Sequence, residues 1–250
     1  PTQGIAMGHN LIAGSFACVG RGTDNGTTHF NSARYTPYHV PHRTEVAGFM
    51  TFLHGDNRFY NNIFLQQSVP LAYQMEAKAA LENFNEWEDM NVTVGTAVFR
   101  GYPTFEEWNR QFDGYCGMGS EASDCYYDHL PIWTDGNAFY GGAKPWEKEK
   151  NFYLDPNTEI ALSLKETESG MVLETNVFSL LPEALCKPID TNTLGIAFEP
   201  EQKFENPDGS PICFDTDYFG EKREDTVLPG PFAKGKAEMT VFQFSEQISL

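Results

Sequence analysis

Four times along this chain an asparagine stands immediately before a short apolar pair: His9-Asn10-Leu11-Ile12, Asn61-Asn62-Ile63-Phe64, Gly136-Asn137-Ala138-Phe139 and Thr175-Asn176-Val177-Phe178. The uneven spacings exclude a helical solenoid of fixed period. Each copy reads as a short strand entered through a tight corner, because asparagine tolerates the left-handed backbone that such corners need. Two architectures use corners of this kind. Stacked coils of a parallel β-helix do so, with insertions looping out between rungs, and an antiparallel sandwich with turn asparagines does so equally well. The expected class is all-β in both cases.

Two segments break the β pattern. Glu76 to Asp89 (EAKAALENFNEWED) is rich in strong helix formers, with Ala79, Leu81 and Phe84 as one apolar stripe. Thr104-Phe105-Glu106-Glu107 is a capping-box pattern that starts a short helix running to Phe112. Residues 70–130 are therefore expected to form a helical and loop insertion in the β scaffold. Thr158–Lys165 and Met171–Leu180 read as strands around a Glu168-Ser169-Gly170 turn, and later turns include Asn206-Pro207-Asp208-Gly209. This divides the chain into coils over 1–182, carrying the functional segment, and closing β coils with a C-terminal tail over 183–250. The opening Pro1-Thr2-Gln3-Gly4 has no initiator Met and no secretory pattern, and reads as the middle of a structural unit. A coil stack that starts in this way leaves strand edges unpaired. The N-terminal portion of the same protein, or a symmetry-related copy in a homo-oligomer, is the partner expected there.

Charge is distributed as unevenly as the repeat. The chain carries a formal net charge of -18, a balance that excludes nucleic acid and anionic membrane surfaces as partners. Yet residues 1–55 hold only two carboxylates, Asp24 and Glu45, against Arg21, Arg34 and Arg43. Five of the six histidines (His9, His29, His39, His42 and His54) also fall there. A slightly basic segment is thus set in an acidic frame, and neutral, sugar-like ligands suit it better than anionic ones.

The densest stretch runs from Gly20 to Phe64. Asp24 lies in the polar loop Gly22-Thr23-Asp24-Asn25-Gly26, while Glu45 stands at the head of the apolar run Val46 to Leu53, beside His42-Arg43. Two carboxylates in one cleft are the minimal equipment for glycoside hydrolysis. One must stay ionised, which a nearby Arg or loop amides favour; the other must hold a proton, which an apolar neighbourhood favours. Asp24 fits the first role and Glu45 the second. Structural salt bridges to Arg21, Arg34 or Arg43 account for both acids equally well on this chemistry alone.

The stretches HNLIAGSF, GTDNG, RYTPYHVPHRTEVAGFM and LHGDNRFYNNIF, over residues 8–64, resemble the β-xylosidases of glycoside hydrolase family 120. The later NPDGSPICFDTDYFGEKR and PGPF resemble the closing coils of such proteins. The resemblance implies a right-handed parallel β-helix with a helical insertion, and a retaining exo-enzyme that releases xylose from short xylo-oligosaccharides. It implies Asp24 as nucleophile and Glu45 as acid/base. Sugar hydroxyls would be held by His42, Arg43, His54 and Arg58, with Tyr35 or Tyr38 as a stacking face. The family's enzymes are much longer, so the chain looks like their C-terminal portion. A related exo-glycosidase such as an α-L-arabinofuranosidase, or a non-catalytic carbohydrate-binding β-helix protein, are the alternatives.

Other chemistries find little support. His39-Val40-Pro41-His42 lacks the helical spacing of a zinc pair, and neither a Gly-rich phosphate loop nor a Gly-x-Ser-x-Gly elbow occurs. Asp124 with Asp128, and Asp215 with Asp217, read as turn residues rather than cation ligands. No cofactor is expected. Cys18, Cys116, Cys125, Cys186 and Cys213 are odd in number without a CxxC pair, which favours reduced thiols and a cytoplasmic setting, although Cys116 and Cys125 are close enough in sequence to bridge a loop.

Overall fold

The computed structural model describes residues 4–14, 55–66, 95–116, 129–183, 185–198, 200–223 and 227–244. Strands dominate them, as expected of an all-β chain, and the longest helix among the described residues is a turn and a half. Seven strands form two parallel sheets. β1 (Ala6–Gly8), β3 (Asn57–Tyr60) and β5 (Ile132–Asp135) make the first, in that order. β2 (Leu11–Ala13), β4 (Ile63–Leu65), β6 (Asn137–Tyr140) and β7 (Phe152–Asp155) make the second. The successive pairs β1/β2, β3/β4 and β5/β6 each lay one strand in each sheet with a corner between the two, and β7 extends the second sheet alone.

The registers stack like residues on like. Ile12, Phe64 and Phe139 are successive partners, as are Leu11, Ile63 and Ala138. Because side chains alternate across a strand, Phe59, Phe64, Ile132 and Phe139 face inward together, with the Phe64 and Phe139 rings stacked at 5.2 Å. The outward faces are covered too. Ile63, Leu65, Ala138 and Tyr140 pack under Leu173, Phe178, Phe232 and Met239, while Tyr60 packs with Ile189 and Leu194. A parallel sheet buried on both faces explains why NRFY, IFL and NAFY lack a solvent-facing alternation.

The cover over the second sheet is antiparallel: β8 (Leu162–Thr167), β9 (Gly170–Thr175) and β12 (Glu238–Gln243) pair in the order β12-β9-β8. The expected turn at Glu168-Ser169 joins β8 to β9. β9 stops short of the expected Leu180, and Val177–Leu180 forms a 3-10 helix instead. The fourth asparagine copy thus differs from the others. Asn176 follows an antiparallel strand with no parallel neighbour among the described residues, and its side chain accepts from Ala161 N and donates to Glu159 O in the segment that leads into β8.

The insertion is partly visible. Glu76–Asp89 lies outside the described residues. The capping box is present: Thr104 and Glu107 bond reciprocally, starting α1 (Phe105–Arg110), which ends two residues before the expected Phe112. After β9 come α2 (Thr191–Leu194) and two short strands, β10 (Ile196–Ala197) and β11 (Gln202–Lys203). The Asn206 to Gly209 turn closes as expected, with Gly209 N donating to Asn206 O at 2.9 Å.

Candidate functional site

Asp24, Tyr35, Tyr38, His42, Arg43, Glu45 and His54 lie outside the described residues. What the structure places is the frame on either side of them. Residues 11–14 run beside 63–65, with Gly14 N donating to Leu65 O at 3.3 Å, and residues 55–58 run beside 131–133. Gly55 requires glycine: its φ is +120° and a Cβ there would sit 2.2 Å from Leu130 O.

Arg58 is described, and it is only 2% exposed. Its Nε donates to Leu194 O at 2.9 Å, one terminal nitrogen to Ile196 O at 2.8 Å, and the other to the carboxylate and carbonyl of Asp56. The guanidinium lies between the rings of Trp133 and Phe204, at 4.1 and 4.7 Å from their centroids. A sugar hydroxyl could reach it only by displacing these partners. Arg58 therefore ties the first sheet to the 194–198 segment. Asp56 completes the tie, accepting from Phe198 N at 2.9 Å; burial pushes its carboxyl above the ordinary value, with Arg58 pulling the other way. Asp56 lies just before β3 with a left-handed φ of 55°, so strand alternation in the sequence does not mark the pair.

The corners carry a second buried polar system. Asn10 N and Nδ2 both donate to Asn62 Oδ1 at 3.0 Å. Asn62 N and Nδ2 donate in turn to Asn137 Oδ1 at 2.9 and 3.1 Å. Asn137 Nδ2 donates to Glu149 Oε1 at 2.8 Å, and Thr96 Oγ1 donates to Glu149 Oε2 at 3.2 Å. The left-handed residue at each corner is the one before the asparagine: His9, Asn61 and Gly136 have φ of 57°, 55° and 71°. That placement frees the asparagine side chain to point along the stack. Burial is the first cause that raises Glu149, to about 7, against the hydrogen bonds from Asn137 and Thr96. Nothing in the charge run Glu147-Lys148-Glu149-Lys150 signals a buried acid.

His9 belongs to this frame. Its Nδ1 donates to Gly230 O at 3.3 Å and its Nε2 accepts from Asn61 Nδ2 at 3.1 Å, the pattern of a neutral ring. Burial, then the charge of Arg223, lowers it to about 3. Gly230 is pressed against the corner, where a Cβ would meet Ile63 Cδ1 at 2.5 Å.

Among the described residues no cluster of three or more His, Cys, Asp or Glu could hold a metal ion. Asp217 instead accepts the backbone N–H groups of Phe219, Glu221 and Ala233. Cys116, Cys186 and Cys213 are free thiols. Among the described residues no helix is long and apolar enough to cross a membrane.

This arrangement has a counterpart among solved structures. The chain is similar to XylC. The match is to a structure described as the complex of XylC with xylose, with 27% sequence identity and a TM-score of 0.65. It covers 96% of this chain and 33% of XylC, so the chain spans about a third of that protein's length. No family model and no curated protein sequence matches the chain.

Proposed function

We propose that the chain is part of a retaining, exo-acting β-xylosidase whose stacked sheets are coils of a right-handed parallel β-helix. The observation that carries this reading is the similarity to XylC, solved with xylose, over nearly the whole of the chain. The two parallel sheets support it, since β1/β2, β3/β4 and β5/β6 each add one strand to each sheet in register. So does the position of the expected acids, in the sequence between β2 and β3.

In this mechanism Asp24 attacks the anomeric carbon while Glu45 protonates the departing glycosidic oxygen. Glu45 then takes a proton from water, which opens the glycosyl ester with net retention. The two carboxyl groups need a separation of roughly 5–5.5 Å for this chemistry. His42, Arg43, His54, Tyr35 and Tyr38 would contact the sugar, and Arg58 would hold the frame behind them.

The test is hydrolysis of a chromogenic xyloside by the longest natural polypeptide containing this chain. Glu45→Gln should lower turnover by about 10²–10⁴-fold, and Asp24→Asn should abolish it, with the first-formed sugar keeping its anomeric configuration by NMR. Unchanged turnover in both variants overturns the assignment. Tight sugar binding without product would place the protein among carbohydrate-binding modules.

A further inference from the structure

α1 adds nothing to the core. None of its residues is buried, and Phe105 is 44% exposed. So short a helix is marginal on its own, and polar ties hold it in place. They are the Thr104–Glu107 capping box and Lys148, whose Nζ donates to Glu107 Oε2 at 2.7 Å and to Tyr102 O at 2.9 Å.

Phe105, Trp108 and Asn109 stand at i, i+3 and i+4, on one face of this helix. The rings of that face continue onto other segments. Phe105 lies 6.0 Å from Trp133 and 5.9 Å from Phe198, and Trp108 stacks on Phe198 at 5.0 Å. Phe112 meets Trp108 edge-on at 4.8 Å. Trp108, Phe112, Trp133 and Phe198 are all half-buried, so the five rings together form a surface. Phe198 N donates to Asp56 Oδ2, and Trp133 covers the Arg58 guanidinium. The surface is thus fixed to the segment that directly follows His54.

Its chemistry narrows what it can take. Every charge on α1 is paired, Glu106 with Arg110 and Glu107 with Lys148, each at 2.7 Å. In a chain of net charge -18, α1 therefore offers no free charge to an ionic partner. Asn109 sets an exposed amide on the aromatic face, which an apolar protein partner would bury at a cost. Trp108 Nε1 is buried without a hydrogen-bond partner, a donor that calls for an acceptor. Rings, an amide and an unpaired indole N–H suit a neutral saccharide. The C–H face of a pyranose is apolar and lies against the negative face of an aromatic ring, while its hydroxyls serve the polar groups.

We propose that this face binds a xylo-oligosaccharide, with sugar rings on Phe105, Trp108 and Phe198 and hydroxyls on Asn109 and the Trp108 indole. Xylose as the unit rests on the function proposed above; the surface itself rests on ring geometry and paired charge.

The experiment is titration of xylohexaose into the longest natural polypeptide that contains the chain. It follows the NMR signal of the Trp108 indole N–H, identified by its loss in Trp108→Phe. A saturable shift is expected, and the unsubstituted protein suffices to see it. Phe105→Ala should weaken the binding about tenfold and Asn109→Leu about fivefold. No shift overturns the proposal, and is the result expected of a face covered by another part of the polypeptide or by a protein partner. A shift that both substitutions leave unchanged also overturns it. If a chromogenic xyloside is not cleaved while the Trp108 signal still titrates, the function proposed above fails and this surface stands.

Discussion

In the stacked levels the corner asparagine side chains are buried and bonded to one another from level to level, whereas in the β8–β9–β12 sheet the polar side chains other than Thr175 are half-buried or exposed. Asn62 is 0% exposed and donates or accepts at every side-chain position. In β8, Leu164 is 57% exposed, and the Lys165–Glu174 ion pair lies on the surface. The antiparallel sheet needs only one apolar face, through Leu173 and Met239, to stay in place. The stack is buried on both faces and has no such choice of orientation. Its register has to be specified by groups that are costly to leave unpaired, and the corner asparagines do that.

The difference can be broken by substitution. Arg58→Met should have the largest effect, about 3–5 kcal/mol lost, because it strands the Asp56 carboxylate in a dry site. The urea midpoint would fall with little change in slope. Asn62→Leu keeps the volume but orphans Asn10 N–H and Met7 O, and on the order of 3 kcal/mol should be lost by the same measurement. An unchanged midpoint in Asn62→Leu would show that the column does not hold the stack.

The column also predicts a pH dependence. Glu149 is raised from 4.5 to about 7 in the folded chain, so the folded state holds that proton more tightly than the unfolded one. Its contribution is fully present below about pH 4.5 and is lost as pH rises toward 7. The loss is on the order of 3 kcal/mol, with no further change from this group above that range. Glu149→Gln should flatten the slope between pH 4.5 and 7 in thermal or urea unfolding. The smallest effect belongs to the other region: Lys165→Ala removes a surface pair and should leave the midpoint unchanged, apart from salt sensitivity.

The sequence made three of the four corners legible, because an asparagine before an apolar pair marks a strand that turns in. It could not distinguish Asn176 from the others, since whether a parallel neighbour exists is decided by long-range pairing. The Thr104 capping box was local and correctly read, and the helix end was not, because no strong stop signal stands at Arg110. The charge pattern singled out the segment around Asp24 and Glu45, while Arg58, from the edge of that segment, is held by Leu194 and Ile196, more than 130 residues away. Glu149 was hidden for the opposite reason: its neighbours in sequence are charged, while its side-chain hydrogen-bond partners are the neutral Asn137 and Thr96.

The corner column has one more consequence. Asn10 and Asn62 are 52 residues apart and Asn62 and Asn137 are 75 apart, yet each pair meets at the same atoms. The stack therefore measures position at the corner and is indifferent to the length of chain spent between levels. Doubling such an excursion costs only about 0.6 kcal/mol in closure entropy. Loops can be lengthened, shortened or exchanged like cartridges in a rack while the corners stay in place, so a new specificity could be fitted to this spine without redesigning it.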